Sequence, residues 1–305
     1  MKALLICAHP DDLEFSIPSI MITLGQSLEN ANQKQKEVHD AIQHGRALFA
    51  KDPTEVNFEI KVASMTRGEM SGFTDLVGST LTAAKIRTRE LEKSQNILIG
   101  KKPDFLGYFD GYVKISEECI QNIKNYIQGV QPDLVIAPEP WLAWYHHPDH
   151  VKTGISVYLA LQHLKRELRE NQNDQQYPKL YYFQSLGNDW VLPRYPAYKE
   201  KMRQAIASHA SQKGILLAGA IPAFFERFVL GLRTRGYFFA EGLRYQPLFR
   251  SNKSIARKIT TRFHRLHLIR RMAYYFGKNL TSKGGSYTQR YNRYYTGTLP
   301  PTIEK

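Results

Sequence analysis

The sequence predicts an α/β protein: a mostly parallel sheet with helices on both faces, followed by a basic C-terminal helical extension. Three observations carry this. Short apolar runs of strand length alternate with segments of helical period. Two of those runs end in clusters of histidine and aspartate, and open α/β sheets collect ligands at the carboxyl ends of their strands. At Arg250 the pattern changes to a long amphipathic stretch rich in Lys and Arg.

The elements follow in order. Ala3-Leu4-Leu5-Ile6-Cys7 reads as a buried first strand. Phe15 to Leu28 has apolar residues at Ile17, Ile20, Met21 and Leu24 and predicts a helix, with Pro18 tolerated only in its first turn. Residues 29–55 are polar, yet Val38, Ala41, Ile42, Ala47 and Leu48 suggest a second amphipathic helix. Val56 to Thr66 alternates as a strand does, and Thr66-Arg67-Gly68-Glu69-Met70-Ser71-Gly72 is a loop. Helices are expected over Ala83–Ile99 and Ser116–Ile127, with short strands at Phe105–Phe109 and Pro132–Ala137. A helix opens at Asp149 or His150 and runs to Leu168; Lys179–Phe183 is a strand and Tyr198–Ser208 a helix. Ile215 to Leu232 is largely apolar, and Tyr237–Leu243 is a candidate last strand. Two regions result: a body, residues 1–249, and an extension, residues 250–305.

At 305 residues the chain can bury a sizeable core. Two cysteines, Cys7 and Cys119, cannot build a disulfide framework, which fits a reducing, cytoplasmic setting. No run of apolar residues is long enough to span a bilayer, and a cleaved leader would remove the first cluster, so none is expected. The net charge of +14 is uneven: residues 250–305 hold 13 Lys/Arg and one acid, leaving the body at +2. Ile255, Ile259, Phe263, Leu266, Ile269, Met272 and Phe276 recur there at helical spacing between arginines. That helix either docks on the body or lies on an anionic membrane surface, as a peripheral anchor or a site for lipid-linked substrate. Nucleic acid is disfavoured, because no nucleic-acid module accompanies the charge.

The chemistry lies in Ala8-His9-Pro10-Asp11-Asp12-Leu13-Glu14 and His146-His147-Pro148-Asp149-His150. Clustered acids repel unless a cation holds them. If the first and fourth strands are neighbours, His9, Asp12 and His150 converge as two imidazoles and a carboxylate, a donor set that suits Zn2+ or another divalent transition metal and leaves a position for water. Asp11, beside a ligand, is then free to act as general base. His147, if protonated, is placed to stabilise an oxyanion or protonate a leaving amine. Asp149 is a candidate second-layer partner orienting one of the histidines. Capping of a helix would use one aspartate and leave the histidine and the other aspartate unexplained.

These two motifs resemble the PIG-L/LmbE-like family of zinc-dependent N-acetylglucosaminyl deacetylases. Thr66-Arg67-Gly68-Glu69, Arg87-x-x-Glu90, Asp110-Gly111, His209-x-Ser211-Gln212 and Ala240-Glu241 resemble further markers in the family order, over about residues 1–245. The resemblance implies a Rossmann-like fold, zinc on His9, Asp12 and His150, Asp11 as base, and His147 as oxyanion stabiliser or acid. It also makes Arg87 and Asp110 candidates for holding the substrate. The implied activity is hydrolysis of a linear, non-peptide amide, releasing acetate from an N-acetylglucosamine-type glycoconjugate. The sequence departs from the family at Phe15-Ser16-Ile17-Pro18-Ser19, where a Gly-rich turn is usual, in the long segment 29–55, and in the basic extension. Two rival readings keep the fold: a metal-dependent phosphoesterase or nuclease, and a non-catalytic membrane- or polymer-binding protein.

Overall fold

The computed structural model describes residues 2–25, 59–143, 147–170, 177–212 (apart from 186, 189 and 195), 224, 227–231 and 239–246. The expected helix within 29–55, the aromatic pair Trp144 and Tyr145, His146, most of 215–232 and the basic extension lie outside the described residues.

Seven strands form one sheet: β1 (Lys2–Cys7), β2 (Glu59–Ser64), β3 (Asp104–Phe105), β4 (Leu134–Pro138), β5 (Lys179–Phe183), β6 (Trp190–Pro193) and β7 (Ala240–Gln246), in the order β3-β2-β1-β4-β5-β7-β6. The first five are parallel neighbours, and β1 pairs directly with both β2 and β4. The sheet order turns back at β1, so chain segments leaving β1 and β4 diverge there, which opens a crevice at their carboxyl ends. β7 runs antiparallel to both β5 and β6.

Alternation along β1 decides the layering. Ala3, Leu5 and Cys7 face a core that includes Leu13 and Ile17, Ile20 and Met21 of the following helices, Leu98 and Met202. Leu4 and Ile6 face a second core with Ile123, Val157 and Leu161. Helices α1 (Asp12–Ser16), α2 (Pro18–Gly25), α4 (Thr80–Ile99) and α7 (Lys199–Ser208) therefore cover one face, and α5 (Glu117–Val130) and α6 (Pro148–Glu170) the other. A short α3 (Thr74–Val77) precedes α4. The starts of α4 and α5 are set by serine caps: Ser79 accepts from the Thr82 N–H and Ser116 from the Cys119 N–H. Pro148 opens α6, where its missing N–H costs nothing. Among the described residues no helix is long and apolar enough to cross a membrane.

Local outcomes differ from the expectations in four places. The helix expected from Phe15 begins at Asp12 and breaks at Ile17, because Pro18 cannot sit inside it. The third strand is only two residues long; Gly107 takes φ +82 and turns the chain away. The last strand is shifted toward Gln246, and β6 was not expected at all.

Candidate active site

β1 ends at Cys7 and the chain turns sharply through His9 to Asp12. Asp12 closes that turn with one carboxylate oxygen: Oδ2 accepts the N–H groups of Ala8 and His9, both at 2.9 Å. This leaves Oδ1 directed 3.0 Å from His150 Nε2 and 3.8 Å from His9 Nδ1, while those two nitrogens lie 3.2 Å apart. Three donors around a tetrahedral ion with bonds near 2.1 Å stand about 3.4 Å from one another. The trio expected from the sequence thus has the spacing of a ligand set. Nitrogens of His9, His147 and His150, and donors of His9, Asp110 and Asp149, also lie within 4.8 Å of one another. We favour the set with Asp12, because its Oδ1 and the two facing nitrogens stand 3.0, 3.8 and 3.2 Å apart. Asp149 Oδ2 accepts the Gly111 N–H at 2.6 Å, and His147 Nδ1 accepts the Asp149 N–H at 3.3 Å.

The remaining ring nitrogens are held from behind. His9 Nε2 lies 3.1 Å from Asp110 Oδ1 and 3.4 Å from Asp149 Oδ2. His150 Nδ1 lies 3.0 Å from Gln184 Oε1, and the amide nitrogen of Gln184 donates to Ser16. Because an amide oxygen can only accept, the His150 proton sits on Nδ1 and the Nε2 lone pair faces the cluster. Gln184 is the functional partner that the sequence reading missed. It follows β5 with φ +60, and an isolated glutamine carries no metal-site signal.

Charge in the cluster is unbalanced. Asp12, Asp110 and Asp149 are buried with Asp11 beside them, against one buried guanidinium, Arg87. Burial alone would raise Asp12, but His150 and His9 hold it well below the usual carboxylate range. Burial would lower His9, yet Asp110, Asp12 and Asp149 raise it well above an ordinary imidazole. Asp110 is lowered despite burial, chiefly by His9. Buried carboxylates that pull a proton onto His9 are a charge that a divalent cation would neutralise, so the residues present fit a metal.

Asp11 stands apart from the ligand trio. Its backbone takes φ 136, ψ −22, outside the region an L-residue prefers, which is strain stored at the turn. Arg87 of α4 pins it there. One guanidinium nitrogen reaches Asp11 Oδ2 at 3.1 Å and the Pro10 carbonyl at 2.8 Å; the other donates to Gly68 O at 3.0 Å. Gly68 has φ +68, and a Cβ there would lie 2.0 Å from the Arg87 guanidinium, so only glycine permits the approach. Burial raises Asp11 to about 6, with Arg87 opposing the rise. One turn along α4, Glu90 accepts from the Ser211 N–H (2.8 Å) and hydroxyl (2.6 Å), tying the two later sequence markers together. His209 is fully buried behind α1, with Nε2 3.6 Å from Glu14 Oε1, so it is not a surface histidine.

His147 packs edge-on to His9, ring centroids 4.7 Å apart. Burial, His9 and His150 hold it well below the ordinary imidazole value. It is therefore a neutral ring whose Nδ1 accepts, which puts its proton on Nε2.

Comparison with known proteins agrees with this architecture. Residues 48–161 match the family model described as PIG-L: GlcNAc-PI de-N-acetylase. That span contains Arg87, Asp110 and the second cluster. A stretch of 101 residues is 32% identical to the diacetylchitobiose deacetylase of Thermococcus kodakarensis, covering 33% of this chain and 38% of that protein's length. The N,N'-diacetylchitobiose deacetylase of Pyrococcus horikoshii, solved with an inhibitor, superposes with a TM-score of 0.62 at 23% identity, covering 81% of this chain and 84% of the other. The 4-carboxy-2-hydroxymuconate hydratase of Pseudomonas putida superposes with a TM-score of 0.56 at 16% identity over 83% and 99% of the two chains. The structural likenesses establish the α/β fold; a deacetylase and a hydratase both use it, so the fold alone does not choose the reaction.

Proposed function

We propose that this protein is a zinc-dependent deacetylase that hydrolyses the acetamide of an N-acetylglucosamine-type glycoconjugate. The observation that carries the proposal is the convergence of His9, Asp12 and His150 beside a strained, arginine-pinned Asp11. The match to the PIG-L family model and the deacetylase relative support the choice of substrate class. The three converging donors would hold the ion, which when bound supplies Lewis acidity and a water of lowered pKa. Asp11, raised to about 6, is poised to take a proton from the attacking water and deliver it to the departing nitrogen, so that acetate and a free amine result. The His147 Nε2–H donates to the carbonyl oxygen as negative charge grows on it. Asp110 and Asp149 hold His9, and Gln184 holds His150, so the donors meet the substrate already oriented.

The test is amine release from a panel of N-acetylated amino sugars, free, glycosidic and lipid-linked, by the zinc-loaded protein. Asp11→Ala should keep stoichiometric zinc and lose at least about a hundredfold in kcat, and His150→Ala should lose the metal. Undiminished turnover in Asp11→Ala would remove it from the base role. Zinc bound without amine release, together with cleavage of a phosphodiester, would favour the phosphoesterase reading instead.

A further inference from the structure

The site opens at the carboxyl edge of the sheet, and so do most of the large apolar side chains that the protein leaves exposed. Leu76, in α3, and Leu81, in the first turn of α4, both follow β2. Ile115 lies between β3 and α5, and Trp141 follows β4. On the other side of the mouth, Phe224, Phe228 and Val229 belong to a segment whose Arg227 donates to the carbonyl of Phe15 in α1. Phe239 joins them: its ring centroid is 5.3 Å from Phe224, and its carbonyl accepts from Arg194 at the end of β6. Among the described residues, ten large hydrophobics are exposed, and only Tyr177 and Tyr245 belong to the opposite edge. Scattered exposure of apolar residues needs no explanation, but concentration on one face does.

We propose that this edge is a membrane-docking face whose partner is the surface of an anionic lipid bilayer. Two features choose that partner. The apolar residues come from separate segments around the mouth, so a fluid surface can take each of them while its headgroups stay within reach of the site. A second copy or a folded protein seated on the same residues would close the mouth. Charge gives the sign: 13 Lys/Arg and one acid in residues 250–305 attract anionic headgroups, whereas the body carries only +2. The inference goes beyond the proposed reaction and does not need it, since docking is read by partitioning and not by turnover.

The experiment is flotation of the full chain with phosphatidylcholine vesicles, with and without phosphatidylglycerol. The protein should partition onto the anionic vesicles, less so at high salt. Leu76→Ser, Ile115→Ser, Phe228→Ser and Val229→Ser together should weaken partitioning about tenfold or more. Tyr177→Ser with Tyr245→Ser, on the opposite edge, should leave it unchanged. If the fourfold change unfolds the chain, Leu76→Ser with Ile115→Ser carries the same test at smaller effect. The proposal is overturned if wild type ignores anionic vesicles. Partitioning of the rim variant like wild type also overturns it, because the extension then binds alone. So does conversion of a dimer to a monomer by the rim changes, which would make the occupant a second copy. Zinc content measured on each variant separates these outcomes from damage to the site.

Discussion

Arg87 looks, from the sequence, like a residue for holding a sugar, but its guanidinium is already engaged by Asp11, Pro10 and Gly68. If Asp11 is the base, as proposed, that arrangement makes Arg87 a positioning residue for it. Arg87→Ala should leave zinc content intact and lower kcat by about a hundredfold, the scale of a displaced general base. Arg87→Lys should recover only part, because an ammonium cannot reproduce the fork. If KM rises instead and kcat holds, Arg87 binds substrate as the family resemblance implies. A second residue sets a pH dependence. Glu69 is fully buried, accepts the Arg67 N–H and leaves Oε1 without a hydrogen bond. Burial and the nearby Asp110 push it up to about 7 from 4.5. Between those values the folded chain holds a proton that the unfolded chain has released, so stability falls as pH rises from 4.5 to 7 and levels off above. The loss is about 3 kcal/mol. Denaturant melts of Glu69→Gln should lack that slope; an unchanged slope would assign it to another group.

At the scale of elements, α6 is held close to β4 by a missing side chain. A Cβ on Gly154 would lie 2.2 Å from the Pro138 carbonyl, and the Gly154 carbonyl accepts from the buried Tyr182 hydroxyl. Gly154→Ala should therefore push α6 outward and cost about 1–3 kcal/mol. Because His150 sits one turn earlier on α6, zinc affinity should fall with stability; calorimetric melting beside a chelator competition reads both. This packing also shows where the sequence was readable. β1, β4 and β5 are near-continuous apolar runs, with one cluster straight after β1 and the other a short loop beyond β4, so the parallel core and the meeting of His9, Asp12 and His150 were legible. β7 was placed too early because its interior carries charge: Glu241 is met by Arg194 and Arg244 by Glu139, partners far along the chain. β6 is four residues long and defined only by pairing to β7. Gln184 escaped notice for the same reason, since its meaning comes from His150 across the sheet edge. Asp110, expected to hold substrate, lies 3.1 Å from His9 and accepts the Met70 N–H at 3.0 Å.

For the whole molecule, the candidate metal centre joins distant parts of one fold. His9 and Asp12 come from the turn after β1, His150 from α6, and the groups behind them from the loops after β3 and β5. Without a cation, the buried carboxylates there repel one another, and only the folded chain brings the donors together. An ion that binds the native state and not the unfolded chain stabilises it by mass action, by about 2.7 kcal/mol at a hundredfold excess over Kd. Chelation should therefore lower the melting temperature, and added zinc should restore it in wild type but not in His150→Ala. Asp11→Ala, which removes no ligand in this assignment, should keep the zinc-dependent rise. A melting temperature indifferent to zinc in all three proteins would mean that the cluster is balanced by protons on its histidines, and the hydrolytic reading would lose its metal.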